Sequence, residues 1–124
     1  MIQLNNLSKK AEALADDLDE LGVDVIDAEP VIEHQALRVI AEADSDQDRD
    51  KTVLKVAQAY QYAAHSAGDE TIHRLDIEIH QTDAAGVVQF TIRREWLPAD
   101  RADVDAWDEM FDRVNQTHEV IHGE

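Results

Sequence analysis

Between residues 72 and 97 the side chains alternate in character. Leu75, Ile77 and Ile79 take every second place against Arg74, Asp76, Glu78 and His80. Beyond Asp83-Ala84-Ala85-Gly86 the alternation resumes with Val88, Phe90, Ile92 and Trp96. Successive strand side chains point to opposite faces, so the pattern predicts a β-hairpin with one apolar and one polar face. Any fold that contains it must cover the apolar face, and that demand constrains the rest of the chain. Keeping both apolar sets together across a four-residue loop places Asp76 opposite Arg93 and Arg74 opposite Glu95, pairs of opposite sign. Arg94 interrupts the inward series beside Trp96, where it snorkels at the sheet edge or lines a site.

Three amphipathic segments offer the cover. In residues 3–21, Leu4, Leu7, Ala11, Leu14, Leu18 and Leu21 recur at spacings of three and four, and Gly22 supplies a stop. This stripe is shorter than the roughly three to four heptads of a coiled-coil seam and contains an alanine, which favours docking on the chain's own sheet. If it is instead exposed as a seam, Leu4, Leu7, Leu14 and Leu18 are the interaction residues. A second helix, 51–67, carries Val53, Val56, Ala57, Tyr60, Ala64 and Ala67 and stops at Gly68, with Tyr60 or Tyr62 as its bulk. A third, 101–121, follows Pro98, is capped by Asp100 and Asp103, and presents Val104, Trp107, Phe111, Val114, His118 and Ile121.

Two further strands are expected at 23–28 and 35–43, where Val23 and Val25, then Leu37, Val39, Ala41 and Ala43, keep a period of two. Pro30 between them marks a turn or an edge. Asp44 to Asp50 reads as a polar connector. Its alternating aspartates look like a calcium loop, but Arg49 and Lys55 stand where that loop needs glycine and glutamate. The expected fold is therefore a single α+β domain over residues 1–124, an antiparallel sheet of about four strands with three helices, in the order α-β-β-α-β-β-α.

Composition then narrows the function classes. The 28 Asp and Glu against 11 Lys and Arg give a formal charge of −17 over 124 residues, and there is no cysteine. Thiolate chemistry, disulfides and cysteine zinc sites are excluded. The few cations look dispersed, and Arg93-Arg94 is too small a patch, so nucleic acid is not an expected partner. No apolar run approaches the roughly 20 residues that span a bilayer, so a soluble, cytoplasmic protein without a membrane partner is expected. Acidity of this extent fits molar salt, where the Debye length shrinks to about 3 Å and self-repulsion fades.

One catalytic spelling occurs. His118-Glu119-Val120-Ile121-His122 matches the H-E-x-x-H of zinc proteases, in which two imidazoles four apart on a helix hold zinc and the glutamate activates its water. His118 and His122, with Glu119 as base, are the candidate metal residues of a hydrolase. A third ligand must then come from Glu124, His65, His73 or His80. Both histidines also have a plain place near a helix C-terminus, where cations are favoured. Ser8, Ser45 and Ser66 lack the G-x-S-x-G context of a nucleophile, and the four glycines form no phosphate loop. No catalytic set and no cofactor is expected from these residues.

From Gly22 to Trp96 the chain resembles a family of small acidic haloarchaeal proteins. The resemblance rests on Gly22-Val23-Asp24-Val25, Leu37-Arg38-Val39 running to Ala43-Asp44-Ser45, Val56-Ala57-Gln58-Ala59-Tyr60, Arg74-Leu75 and Glu95-Trp96. It implies a cytoplasmic or surface-associated archaeal module and carries no catalytic residues. The C-terminal histidines and Gly86-Val87-Val88 depart from that pattern. The element order is also similar to that of type III secretion chaperones, small α+β domains that dimerise and hold a partner polypeptide. The expectation is a non-enzymatic protein-binding or homodimerising module. The alternatives are the metal-dependent hydrolase and a structural part of a larger assembly such as a haloarchaeal virus particle.

Overall fold

A computed structural model describes residues 2–31, 35–63, 72–82, 86–100 and 102–122. Its order is α1 (Ile2–Glu20), β1 (Asp24–Val31), β2 (Ala36–Ala43), α2 (Asp46–Gln61), β3 (Arg74–Gln81), β4 (Gly86–Arg93), a 3-10 turn (Arg94–Trp96), α3 (Val104–Gln116) and β5 (Glu119–His122). The strands form one five-stranded sheet in the order β1-β2-β3-β4-β5. Fold class and the three helices match the sequence expectation. The sheet is mixed, however, because β2 and β3 run parallel. Strands joined through a helix can lie side by side and parallel, and α2 is that connection.

Local chemistry sets the helix ends. α1 closes in a Schellman turn: Val23 N–H donates to Leu18 O and Gly22 N–H to Asp19 O, both at 3.0 Å, with Gly22 at φ +86°. α2 starts at Asp46, five residues earlier than expected, because Ser45 is its N-cap and accepts from Asp48 N–H at 3.2 Å. The segment that looked like a calcium loop is thus largely the first turn of a helix. Its expected end at Gly68 lies outside the described residues. α3 starts at Val104, where Asp103 accepts from Ala106 N–H at 3.1 Å.

α3 ends at Gln116, short of the expected residue 121, and the next residues turn back to the sheet. Thr117 is the reason. Its hydroxyl donates to Val114 O at 2.6 Å and accepts from Thr91 N–H at 2.8 Å, which fastens the helix end to β4. Glu119 to His122 then pair antiparallel with β4 as the fifth strand, with a bulge between Val87 and Val88. β-Branched Val120 and Ile121 suit an extended backbone.

The hairpin register differs from expectation by two residues. Leu75 faces Ile92, Ile77 faces Phe90 and Ile79 faces Val88, so the expected parity holds. Arg74 faces Arg93, and Asp76 faces Thr91. The expected pairings of Asp76 with Arg93 and of Arg74 with Glu95 are corrected accordingly. Arg94 has left the strand for the 3-10 turn, its N–H donating to His73 O at 3.0 Å. Pro30 sits within β1, at the sheet edge where its missing N–H costs no ladder bond.

One core cluster joins the helices to one face of the sheet. Leu37, Val39 and Ala41 line up across the parallel pair with Leu75, Ile77 and Ile79, and these with Ile92, Phe90 and Val88. Leu14 and Leu18 of α1, Val53, Val56 and Tyr60 of α2, and Met110 and Val114 of α3 pack into the same cluster. Burying each of the larger side chains contributes about 1.5–3 kcal/mol. Tyr60 is the bulky residue of α2, its hydroxyl donating to Ile72 O at 2.7 Å, whereas Tyr62 is 56% exposed.

Candidate functional site

All described buried apolar side chains of the three helices belong to that one cluster, so the helical layer covers one side of the sheet. The other side carries the alternate residues of each strand, and no described helix packs on it. Its rows follow from the register. Val31, Ala36, Arg74 and Arg93 form a row at the end where β2 and β3 begin, with Ala36 fully buried, and Glu29, Arg38, Asp76 and Thr91 form the next. Asp27, Ile40, Glu78, Gln89 and Glu119 follow, and then Asp24, Glu42, His80, Val87 and His122 near the opposite end.

Three of the chain's seven arginines therefore share one half of this face. Each has a carboxylate nearby: Arg38 meets Glu29 at 3.4 Å, Arg74 meets Asp76 at 3.2 Å, and Arg93 meets Glu95 at 4.0 Å. Asp76 is the best-held group. It is buried, and while Arg74 binds one carboxylate oxygen, Thr91 Oγ1 donates to the other at 3.1 Å. Arg74 Nε is buried without a hydrogen-bond partner. In the other half, Glu78 accepts at 3.1 Å from His80. The face thus holds its arginines at one end, each balanced by a carboxylate there, and an excess of carboxylates at the other.

The residues singled out from the sequence are placed elsewhere. Leu14 and Leu18 are core residues facing the chain's own sheet, not a seam. The side chains of Leu4 and Leu7 lie outside those described. The H-E-x-x-H spelling falls on extended backbone. His118 precedes β5, and Glu119 and His122 are on it, where the rise of roughly 3.3 Å per residue separates Cα atoms four apart by about 13 Å. The helical geometry that brings two imidazoles to one ion is absent from this segment. The His118 ring lies tilted by 37° against Phe90 with centroids 5.2 Å apart, and the side chain of His122 is outside those described. Of the alternative ligands, His65 and Glu124 also lie outside the described residues. Among the described residues no three metal-ligating side chains converge.

The helical layer has a cavity of about 150 Å³ between α1 and α2, lined by Ala13, Leu14, Ala59, Tyr60 and Leu75 among others. Two wider surface hollows, about 400 Å³ beside Leu21 and Tyr62 and about 440 Å³ between Trp96 and Met110, reach the roughly 300–1,000 Å³ common for small-molecule sites. No helix among the described residues is long and apolar enough to cross a membrane.

The arginine grouping escaped the sequence reading, which took the cations as dispersed. Arg38 and Arg74 do occupy the outward phase of their strands, but their proximity depends on the parallel β2-β3 pairing.

Fold and surface together define a two-layer α+β module whose mixed sheet is open on one side. The chain belongs to the family described as domain of unknown function DUF8159, which matches over residues 5–122. No curated protein and no solved structure matches it.

Proposed function

We propose that this chain is a non-enzymatic, cytoplasmic module that works in molar salt by binding protein on the open face of its sheet. The observation that carries this reading is the one-sided helical layer: the helices' buried apolar side chains all join the core on one face of a five-stranded sheet, and the second face is mostly half-buried or exposed, with Ala36 and Asp76 buried at one end. Strands of eight residues at roughly 3.3 Å per residue and about 4.8 Å apart make the face on the order of 500–600 Å². A surface of that size, covered once by a partner, buries about 1,000–1,200 Å² in total, near the lower bound of a specific interface. Its side chains are held in ion pairs and hydrogen bonds, which lowers the ordering entropy lost on association.

A photo-crosslinking amino acid placed at Gln89, on the open face, tests this in cells against the same probe at Asp108, exposed on α3. The proposal expects discrete adducts from position 89 and none from 108. Adducts from 108 alone, or none from either, would overturn it.

A further inference from the structure

We infer that residues 117–122 are a two-state element: the segment alternates between β5 and a continuation of α3, and Thr117 is the latch that holds it in the sheet. No helix-breaking residue ends α3 at Gln116. Residues 104–122 include neither glycine nor proline, and the first stop signal is Gly123, well beyond the observed helix end. The helical stripe also runs on across the junction, with His118 and Ile121 four and seven places after Val114. Local sequence and tertiary structure therefore pull this segment in different directions.

The strand that takes the place of the helix is lightly held. It meets β4 only at Val87, Val88 and Gln89, with a bulge among them, whereas β3 pairs with each of its neighbours along its full length. Val120 lies beside the core residue Val88 and is still 61% exposed, so its burial adds little to the hold. The opposing local preferences are small: Val120 and Ile121 favour the strand, while the continuing stripe and hydrogen-bond ladder favour the helix.

The switch point is Thr117. Its backbone is still helical, at φ −90° and ψ 0°, and Thr117 N–H to Val114 O and His118 N–H to Asn115 O are a 3-10 tightening of the same helix. The chain departs for the sheet only after this residue, whose hydroxyl is fixed between Val114 O and Thr91 N–H. The bond from Thr91 is the tertiary contact that selects the strand. In the helical state the outer edge of β4 is bare, a row of backbone donors and acceptors open to an added strand. The latch thus sets whether that edge is covered, and it acts independently of what occupies the open face.

Backbone Cα and carbonyl chemical shifts in about 2 M KCl read the state residue by residue. Thr117→Ala removes the latch and inserts the strongest helix former. Residues 119–121 are expected to move from strand to helical values and the contact between Gln89 and Glu119 to be lost, while β2 and β3 keep their shifts. Strand values retained at 119–121 overturn the switch. Loss of all regular structure there also overturns it, and reduces Thr117 to a fastener for a frayed end. If Thr117→Ala does not fold, Val120→Ala takes its place, because position 120 is exposed and its substitution keeps the Thr117 bonds. The same shifts are then expected to move part of the way to helical values, and shifts that stay at strand values overturn the switch.

Discussion

Arg74 and Arg93 stand directly opposite one another across β3 and β4, two cations as nearest neighbours in a chain of formal charge −17. Like charges in that relation repel, and the sheet tolerates them through Asp76, which binds Arg74 at 3.2 Å and takes a second hydrogen bond from Thr91. Asp76→Ala is expected to cost about 2 kcal/mol, because it leaves Arg74 beside Arg93 with its partner gone and strands the Thr91 hydroxyl. Urea unfolding in molar KCl measures this, and a change within about 0.5 kcal/mol would mean the carboxylate holds nothing.

Thr117 decides where α3 ends and β5 begins. Thr117→Val keeps the shape but removes the acceptor for Thr91 N–H and the donor to Val114 O. The expected loss is about 1–2 kcal/mol, concentrated in β5. Hydrogen exchange at residues 119–122 should accelerate while β2 and β3 stay protected, and uniform acceleration across the sheet would place the role of Thr117 elsewhere.

Leu18 is fully buried and Leu21, one turn on, is 43% exposed. Leu18→Ala is therefore expected to destabilise the fold by about 2–5 kcal/mol, and Leu21→Ser by no more than about 0.5 kcal/mol. Chemical denaturation separates them. A Leu18→Ala protein of unchanged stability but altered oligomeric state would restore the helical seam as an interface.

The proposed molar-salt habit predicts that salt supports the compact state through screening. Lowering KCl from about 2 M to about 10 mM lengthens the Debye length from a few ångströms to about 30 Å and re-exposes the chain's self-repulsion. Circular dichroism is expected to fall over that range and to recover when salt is restored. An unchanged spectrum would separate the acidic composition from salt adaptation.

Zinc is not expected to bind tightly through His118 and His122, because extended backbone sets the two residues about 13 Å apart. Calorimetric titration of wild type and His118→Ala should give the same weak isotherm. Tight one-to-one binding abolished by the substitution would require β5 to refold as a helix.

Much of the fold was legible because it is periodic. The alternation of Leu75, Ile77 and Ile79 and the helical stripe from Ala11 to Leu18 report which face is buried, and the faces were read correctly. Parity leaves a two-residue slip invisible, so the pairing of Arg74 was misplaced. The parallel join of Ala36 to Arg74 has no local signature, since the two strands are separated by a helix. β5 was hidden because His118 and Ile121 continue the stripe of Val114, and only the tertiary bond from Thr91 to Thr117 ends the helix. The candidate surface inherits these gaps: its arginines sit on strands whose adjacency is non-local.

The chain has no cysteine, so a single introduced one carries a spin label at a defined place. The mobility of a label at Gln89→Cys on the open face, recorded in a molar-KCl lysate and in buffer alone, tests the central claim most directly. The account predicts that the lysate immobilises the label at position 89 and leaves one at Asp108→Cys, exposed on α3, as mobile as in buffer. An unchanged label at position 89, or immobilisation at position 108 in its place, would contradict it.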